Sequence, residues 1–238
     1  MPRHPQRRHF GRLLLPLAAV ISFVCLVAFL MPRTISDLAY QRIDVTDVHD
    51  DPHSADDINP DFAGWLRVEN TAIDYPAVYQ RPSDPQGFYL NHDFWRRPSE
   101  AGCPYLQQGV AAGSDHVMVF GHHLGLTGGM FTELHDAFGQ KRFETLGTLR
   151  WLPRDGDERS FRPFCAMRVD KTYEHIQRYR FDRQEDIASW LQTLAEEASA
   201  KQASWKEMAA QARQVMTLIT CADARRGGRN RTLVVFVR

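Results

Sequence analysis

The segment from Met216 to Val237 reads MTLITCADARRGGRNRTLVVFV and places two β-type runs on either side of a short, glycine-containing loop. The second run, Thr232–Val237, is almost wholly apolar, which is typical of a central strand. Strands that flank a tight loop bring their ends together. Cys221, at the end of the first run, and Arg231, at the start of the second, are therefore predicted to be neighbours.

Cys221 lies where a strand-like run meets a loop, a position that suits a nucleophile. The alternative is a small buried apolar side chain, which is the commoner use of a free cysteine. Arg231 can donate hydrogen bonds to an oxyanion that develops in a reaction, or it can be an ordinary surface arginine at a strand end. These residues alone leave both alternatives open.

A thiolate nucleophile needs a base or a cation, because the pKa of a free cysteine lies near about 8.5. His122 and His123 follow the β-type run His116–Phe120 and Gly121, so they too lie where a strand leaves for a glycine-rich loop. Neighbouring side chains on an extended backbone point to opposite faces. Only one of the two histidines is therefore expected to face a given site.

The rest of the chain after residue 59 is rich in short β-type runs bounded by turn residues. Besides those already named, the runs are Gly64–Val68, Tyr75–Tyr79, Thr148–Leu152 and Phe164–Val169. Helical periodicity is present in Met130–Phe138 and in Gln184–Ala200, and the second helix can continue through Trp205–Arg213. Many strands with few helices predict a β-barrel or sandwich with helical insertions.

Composition excludes several classes of protein. Among 238 residues, 29 basic side chains balance 29 acidic ones, which argues against a general basic field for binding nucleic acid. The 4 cysteines are too few for a disulfide scaffold of this length. The sequence contains no zinc-type spacing of cysteine and histidine and no phosphate-binding loop. No cofactor and no metal site is therefore predicted.

The charge balance hides an uneven distribution at the N-terminus. Residues 1–12 are basic, residues 13–31 carry no charge, and residues 32–58 are rich in aspartate. We predict a cytoplasmic basic flank, a single transmembrane signal anchor and an acidic tether, followed by a catalytic domain over residues 59–238 outside the cell membrane. A cleaved signal peptide is the alternative for 13–31. The tether either forms a short helix around residues 35–43 or is a plain linker.

The motifs around Cys221, His122 and Arg231 resemble those of sortases, the membrane-anchored cysteine transpeptidases of bacterial cell surfaces. Thr217–Cys221 with Arg231–Val235 resembles their catalytic strand pair, and Phe120–His123 resembles their histidine segment. Further segments are similar to class B sortases in particular, namely Asn59–Trp65, Ile73–Pro76, Tyr89–Phe94 and the helical segment Gln184–Ala200.

The resemblance implies a mostly β fold, an eight-stranded sortase-type barrel with helical insertions. It also implies that Cys221 is the nucleophile, His122 the catalytic histidine and Arg231 the catalytic arginine, with Arg229 as the alternative arginine. Substrate-binding residues carried over with it are Leu90, Ile219, Thr220 and Asp223. Class B members usually have serine where this chain has Ile219, so a differently shaped or less polar subsite is expected here.

The function implied by the resemblance is cleavage of a C-terminal sorting signal of the Asn-Pro-x-Thr type in exported proteins. The acyl group is then transferred to an amine of a peptidoglycan precursor. Two alternatives remain open, a pilin-polymerising sortase that uses a lysine amine and a non-catalytic exported barrel module. A papain-like protease is disfavoured because its cysteine precedes its histidine in the chain, whereas here His122 precedes Cys221.

Overall fold

A computed structural model describes residues 59–125, 128–223 and 228–238 of the chain. These residues contain nine strands, which are β1 (Phe62–Val68), β2 (Asp74–Val78), β3 (Tyr105–Leu106), β4 (His116–Phe120), β5 (Leu149–Pro153), β6 (Arg159–Asp170), β7 (Ala200–Lys201), β8 (Val215–Cys221) and β9 (Asn230–Val237). The helices are α1 (Gln140–Phe143), α2 (Gln184–Glu197) and α3 (Trp205–Gln211), with 3-10 turns at Phe88–Leu90 and Thr132–Leu134.

The strands form one sheet in the order β5-β1-β2-β3-β4-β8-β9-β6-β7, and β5 also pairs with β6. This extra pairing closes eight of the strands into a ring, while the two-residue β7 pairs with the outer edge of β6. The ring is mixed, because β2 with β3 and β4 with β8 are parallel and the other pairs are antiparallel. The predicted mostly β, eight-stranded barrel is therefore confirmed.

Helices α2 and α3 pack against β6 and share one buried apolar cluster with β8 and β9. Buried apolar residues of α2, with Met208 and Ala209 of α3, pack in one cluster with Val215, Ile219 and Val235 of the strands. The strands are therefore buried on both faces, which explains why Thr232–Val237 is almost wholly apolar. Glu185 and Asp186 lie in the first turn of α2, where acidic side chains favour the helix dipole.

Two of the helix predictions need correction. Met130–Phe138 contains only the 3-10 turn Thr132–Leu134, because the chain enters it through left-handed backbone at Gly128, Gly129 and Met130. The apolar spacing that resembled a helix instead reflects turn residues that point into the core. The continuation through Trp205–Arg213 is a separate helix, since β7 interrupts the chain after α2.

The predicted basic flank, transmembrane anchor and acidic tether, residues 1–58, lie outside the described residues. In the part of the chain that the structure describes, no helix has both the length and the apolar character needed to cross a membrane.

His116 is fully buried between the barrel and the segment that precedes α2. Its Nδ1 lies 2.8 Å from the main-chain oxygen of Arg178, and its Nε2 lies 2.8 Å from Oγ1 of Thr217. Because a carbonyl oxygen only accepts, Nδ1 carries the proton and Nε2 accepts from the threonine hydroxyl. Burial lowers the pKa of His116 to about 4, so the ring is neutral near pH 7.

We predict that His116 makes the protein lose stability in mild acid. The unfolded chain binds a proton at a pKa near 6.5, whereas the folded chain binds it only near 4, so the free energy of unfolding falls as pH drops through this window. The loss attributable to His116 is on the order of 3 kcal/mol. Urea unfolding at pH 7 and pH 4 measures it. His116→Gln should flatten the dependence, and the exposed His175→Gln should not. An unchanged slope in His116→Gln would contradict the assignment.

Candidate active site

A cavity of about 570 Å³ lies at the carboxyl ends of β4 and β8. It is lined by every site residue expected from the sequence, namely Leu90, His122, Ile219, Thr220, Cys221, Asp223 and Arg231. These residues come from distant parts of the chain, so it is the closed barrel that brings them together. The catalytic and substrate-binding roles given to them remain predictions.

Cys221 is the last residue of β8 and lies directly opposite Arg231 of β9. Residues directly opposite each other in antiparallel strands project to the same face of the sheet. The thiol and the guanidinium therefore share one face. Cys221 is partly exposed, whereas Cys103 and Cys165 are buried, and all three are free thiols. Burial raises the pKa of the Cys165 thiol well above its usual range, which makes that thiol inert at neutral pH.

His122 is hydrogen-bonded to a main-chain oxygen of a distant segment. Its Nε2 lies 2.7 Å from the carbonyl oxygen of Leu90, so Nε2 carries the proton. Nδ1 is then the nitrogen whose protonation changes between imidazole and imidazolium. The parallel register of β4 and β8 pairs Phe120 with Ile219, so His122 and Cys221 follow matched positions on adjacent strands.

The 3-10 turn Phe88–Leu90 presents the Leu90 carbonyl to His122. Gly102 packs so closely beneath this turn that a Cβ atom there would lie 2.5 Å from the Tyr89 oxygen and 3.0 Å from the Leu90 oxygen, and its φ of +68° also favours glycine. The main-chain N–H of Cys103 donates to the Tyr89 carbonyl at 2.9 Å. The turn therefore has little freedom to move.

A buried polar network supports the same turn from below. Asp61 accepts hydrogen bonds from the Tyr89 hydroxyl at 2.7 Å and from Arg81 at 2.6 Å, and it also pairs with Arg96. Arg96 bridges to Asp84 at 2.8 Å. Burial raises the pKa of Tyr89, and the Arg96 guanidinium lowers the pKa of Asp84. Each group of this network thus has a partner, as buried charge requires.

Arg231 is oriented by the loop that precedes β9. Its Nη1 donates to the carbonyl oxygens of Gly228 at 2.7 Å and of Asn230 at 3.0 Å. Arg229, the alternative catalytic arginine, instead pairs with Asp170 at 3.0 Å and is not among the residues that line the cavity. The geometry therefore favours Arg231.

Asp223 and Thr220 occupy different environments at the cavity wall. The Asp223 carboxylate accepts from Arg168 at 2.8 Å and from the Asn230 side chain at 3.0 Å, which ties it to neighbouring strands. The Thr220 hydroxyl is buried without a hydrogen-bond partner among the described residues. Thr220 alternates along β8 with Ile219 and Cys221, so its side chain points to the opposite face of the strand.

One wall of the cavity is apolar. Ile219 is only 4% exposed, and it belongs to the buried cluster that includes Met118, Ile176 and Leu233. The partly buried Phe120 and Tyr173 pack against that cluster. Ile176 and Tyr173 belong to the irregular segment between β6 and α2, which has no periodicity that could have marked it as part of a site. Tyr105 of β3 also lines the cavity. Sequence reasoning missed it because a strand of two residues is too short to produce a pattern.

Comparisons with known proteins agree with the barrel fold. Sortase B of Staphylococcus aureus (strain NCTC 8325 / PS 47) is 25% identical over 185 residues, an alignment that covers 76% of this chain and 72% of that protein. The structure of a Staphylococcus aureus sortase B–substrate complex superimposes with a TM-score of 0.72 at 22% identity, covering 87% of this chain and 97% of the other. A structure of sortase B complexed with triglycine superimposes with a TM-score of 0.71 at 22% identity, covering 87% and 96%. No family model matches the chain.

We predict that Gly121→Ala disturbs the histidine segment. A Cβ atom at Gly121 would lie 2.6 Å from two ring atoms of Phe131, whose main-chain N–H donates to the His122 carbonyl at 2.9 Å. Overpacking of this kind costs about 1–3 kcal/mol of stability and should displace His122. The melting temperature and the rate of Cys221 alkylation should both fall.

Two further variants control for this prediction. Gly113→Ala should leave both values unchanged, since a Cβ atom there meets nothing within 4 Å. Adding Phe131→Leu to Gly121→Ala should restore part of the alkylation rate by removing ring atoms. A Gly121→Ala protein that melts and reacts like the parent would show that the segment tolerates the extra methyl group.

Proposed function

We propose a substrate and an acceptor for this chain, which belongs to the sortase B family and is a sortase B-like cysteine transpeptidase. The substrate is a C-terminal sorting signal of the Asn-Pro-x-Thr type in an exported protein, and the acceptor is an amine of a peptidoglycan precursor. The observation that carries the proposal is the Cys221–Arg231 cross-strand pair, which lines one cavity together with His122.

In the first half of the proposed reaction, the Cys221 thiolate attacks the carbonyl carbon of the signal's threonine. The oxygen of the tetrahedral intermediate gains negative charge, and the Arg231 guanidinium, which shares its face with the thiol, stabilises it. Imidazolium His122 then gives its Nδ1 proton to the leaving amine. The peptide bond breaks, a thioester forms on Cys221, and the C-terminal fragment departs.

In the second half, the acceptor amine attacks the thioester carbonyl. Neutral His122 takes up the amine proton, the bond to sulfur breaks, and a new amide joins the exported protein to the acceptor. The relatives support both sites, since sortase B has been solved in complex with substrate and in complex with triglycine. The peptide stem of a peptidoglycan precursor offers an amine of the same kind.

We place the enzyme on the outer side of a bacterial cell membrane, held by a single helix over residues 13–31 with its N-terminus in the cytoplasm. The support is the uncharged run in that range and the arginines that precede it. A membrane anchor suits the reaction, because exported substrates and a lipid-linked acceptor meet in the same plane and tethering raises their effective concentration.

Two rival functions predict different products. A pilin-polymerising sortase would join the signal to a lysine side chain of another exported protein, and a non-catalytic barrel module would form no thioester. Mass spectrometry of the products formed with several amine acceptors separates the first rival from our proposal. A measurement of the thiol reactivity of Cys221 at neutral pH separates the non-catalytic barrel module from our proposal.

We predict that Cys221→Ala abolishes formation of the acyl-enzyme. The full-length protein is mixed with an Asn-Pro-x-Thr peptide and an amine acceptor, and the thioester and the transpeptidation product are followed by mass spectrometry. The melting temperature should change little, since Cys221 lies at the end of its strand. Cys103→Ala is the matched control, because that thiol is buried, does not line the cavity and should leave product formation in place. Parental cleavage by Cys221→Ala would refute the mechanism.

We also predict that Ile219 gives the cavity a preference for apolar side chains. Peptides with leucine directly before the threonine should react about tenfold faster, in kcat/KM, than peptides with glutamine there, since burial of one apolar side chain is worth about 1–3 kcal/mol. Ile219→Ser should reduce this ratio and Ile219→Val should keep it. If all three proteins show the same ratio, Ile219 does not set the preference.

A further inference from the structure

The hydrogen-bond ladder between β4 and β8 ends with a side chain where a main-chain donor would continue it. Its last main-chain bond runs from Gly121 N to Ile219 O at 3.0 Å. In a parallel ladder the bonds are evenly spaced, so the next donor would be the main-chain N–H of His123, facing the carbonyl of Cys221. Strand β4 has already ended there, and it is the side chain of His123 that occupies this position, with Nδ1 3.2 Å from Cys221 O.

The His123 ring is fixed from several sides. It stacks on the ring of His135, with 4.3 Å between the centroids and an angle of 28° between the planes. The main chain of His135 is anchored to β9, because the Thr232 hydroxyl donates to its carbonyl at 2.6 Å. The main chain of His123 forms an isolated bridge with Met130. The imidazole is therefore held in place opposite the nucleophile's carbonyl.

The hydrogen bond also defines the protonation of His123. A carbonyl oxygen only accepts, so Nδ1 carries the proton. Burial and the neighbouring His135 ring lower the pKa of His123, while Asp136, Asp223 and the bond to Cys221 act in the opposite direction. The net shift is downward, so His123 is neutral near pH 7.

We propose that His123 is a positioning residue for the nucleophile, because its Nδ1–H bond to the Cys221 carbonyl locks the end of β8 to the segment that carries His122. The thiol and the His122 imidazole then keep a constant separation, although among the described residues no main-chain bond joins their segments at this level. The inference rests on the proposed role of Cys221 as nucleophile. It assigns His123 no contact with the reacting atoms.

The test compares two variants that separate the hydrogen bond from the ring. In His123→Asn the side-chain amide can donate from the position of Nδ1, but the stacked ring is lost. In His123→Phe the ring and its stacking remain, but the donor is lost. The rate of iodoacetamide alkylation at Cys221 is measured against pH in the full-length protein, with peptide mapping to separate Cys221 from the other cysteines. The melting temperature of each variant is recorded alongside.

We expect His123→Phe to slow alkylation at neutral pH about tenfold, because the Cys221 carbonyl loses its donor and the end of β8 is no longer held against the segment that carries His122. His123→Asn should keep most of the parental rate even if its melting temperature falls. If His123 only stabilised the fold, the alkylation rate of each variant would fall with its melting temperature, whether or not the variant keeps the hydrogen-bond donor.

Two results would overturn the proposal. One is a His123→Phe protein that alkylates with the parental rate and pH profile, and the other is a His123→Asn protein that is slowed as much as His123→Phe. If His123→Phe does not fold, His123→Gln replaces it, since its longer amide reaches the Nε2 position and leaves the Nδ1 position without a donor. Alkylation needs no peptide substrate, so the outcome stands even if the proposed sorting signal is wrong. Peptide turnover by the same variants should show a loss in kcat rather than a rise in KM.

Discussion

Strand β8 is hydrogen-bonded to β4 on one side and to β9 on the other, and the position of each functional group depends on this double pairing. The parallel register with β4 brings the histidine segment level with Cys221. The antiparallel register with β9 places Arg231 directly opposite Cys221. A slip of one residue in either pairing would send a key side chain to the other face of the sheet. The ring closure through β5 and β6 makes such a slip costly, because it would have to propagate around the whole barrel.

The second requirement is a rigid acceptor for His122. In this chain the Leu90 carbonyl accepts a hydrogen bond from the His122 ring. A carbonyl group does not ionise, so its effect as a hydrogen-bond acceptor for His122 depends on where the backbone holds it. Asp61, Arg96 and Tyr89 form the buried network beneath that backbone. Loss of Asp61 would remove the acceptor that Tyr89, Arg81 and Arg96 share.

Sequence reasoning located the longer strands because each is a short run of β-type residues bounded by turn residues. His116–Phe120 was predicted with its observed bounds, and Cys221, His122 and Arg231 were singled out because they lie at or close to strand ends. It failed at Met130–Phe138, where residues of a turn are buried at a spacing that resembles that of a helix. It could not find the network of Asp61 and Arg96, or the contact between His123 and the Cys221 carbonyl. These depend on distances between segments that only the closed barrel defines.

The pairing of β4 with β8 also joins residues that are far apart in the chain, since His116 and Thr217 are separated by 101 positions. Contacts of such long range form late in folding, because the loop-closure entropy must be lost before the contact stabilises anything. Cys221, His122 and Arg231 come together only when β8 has paired with β4 and β9. A partly folded chain therefore contains these residues but not the site.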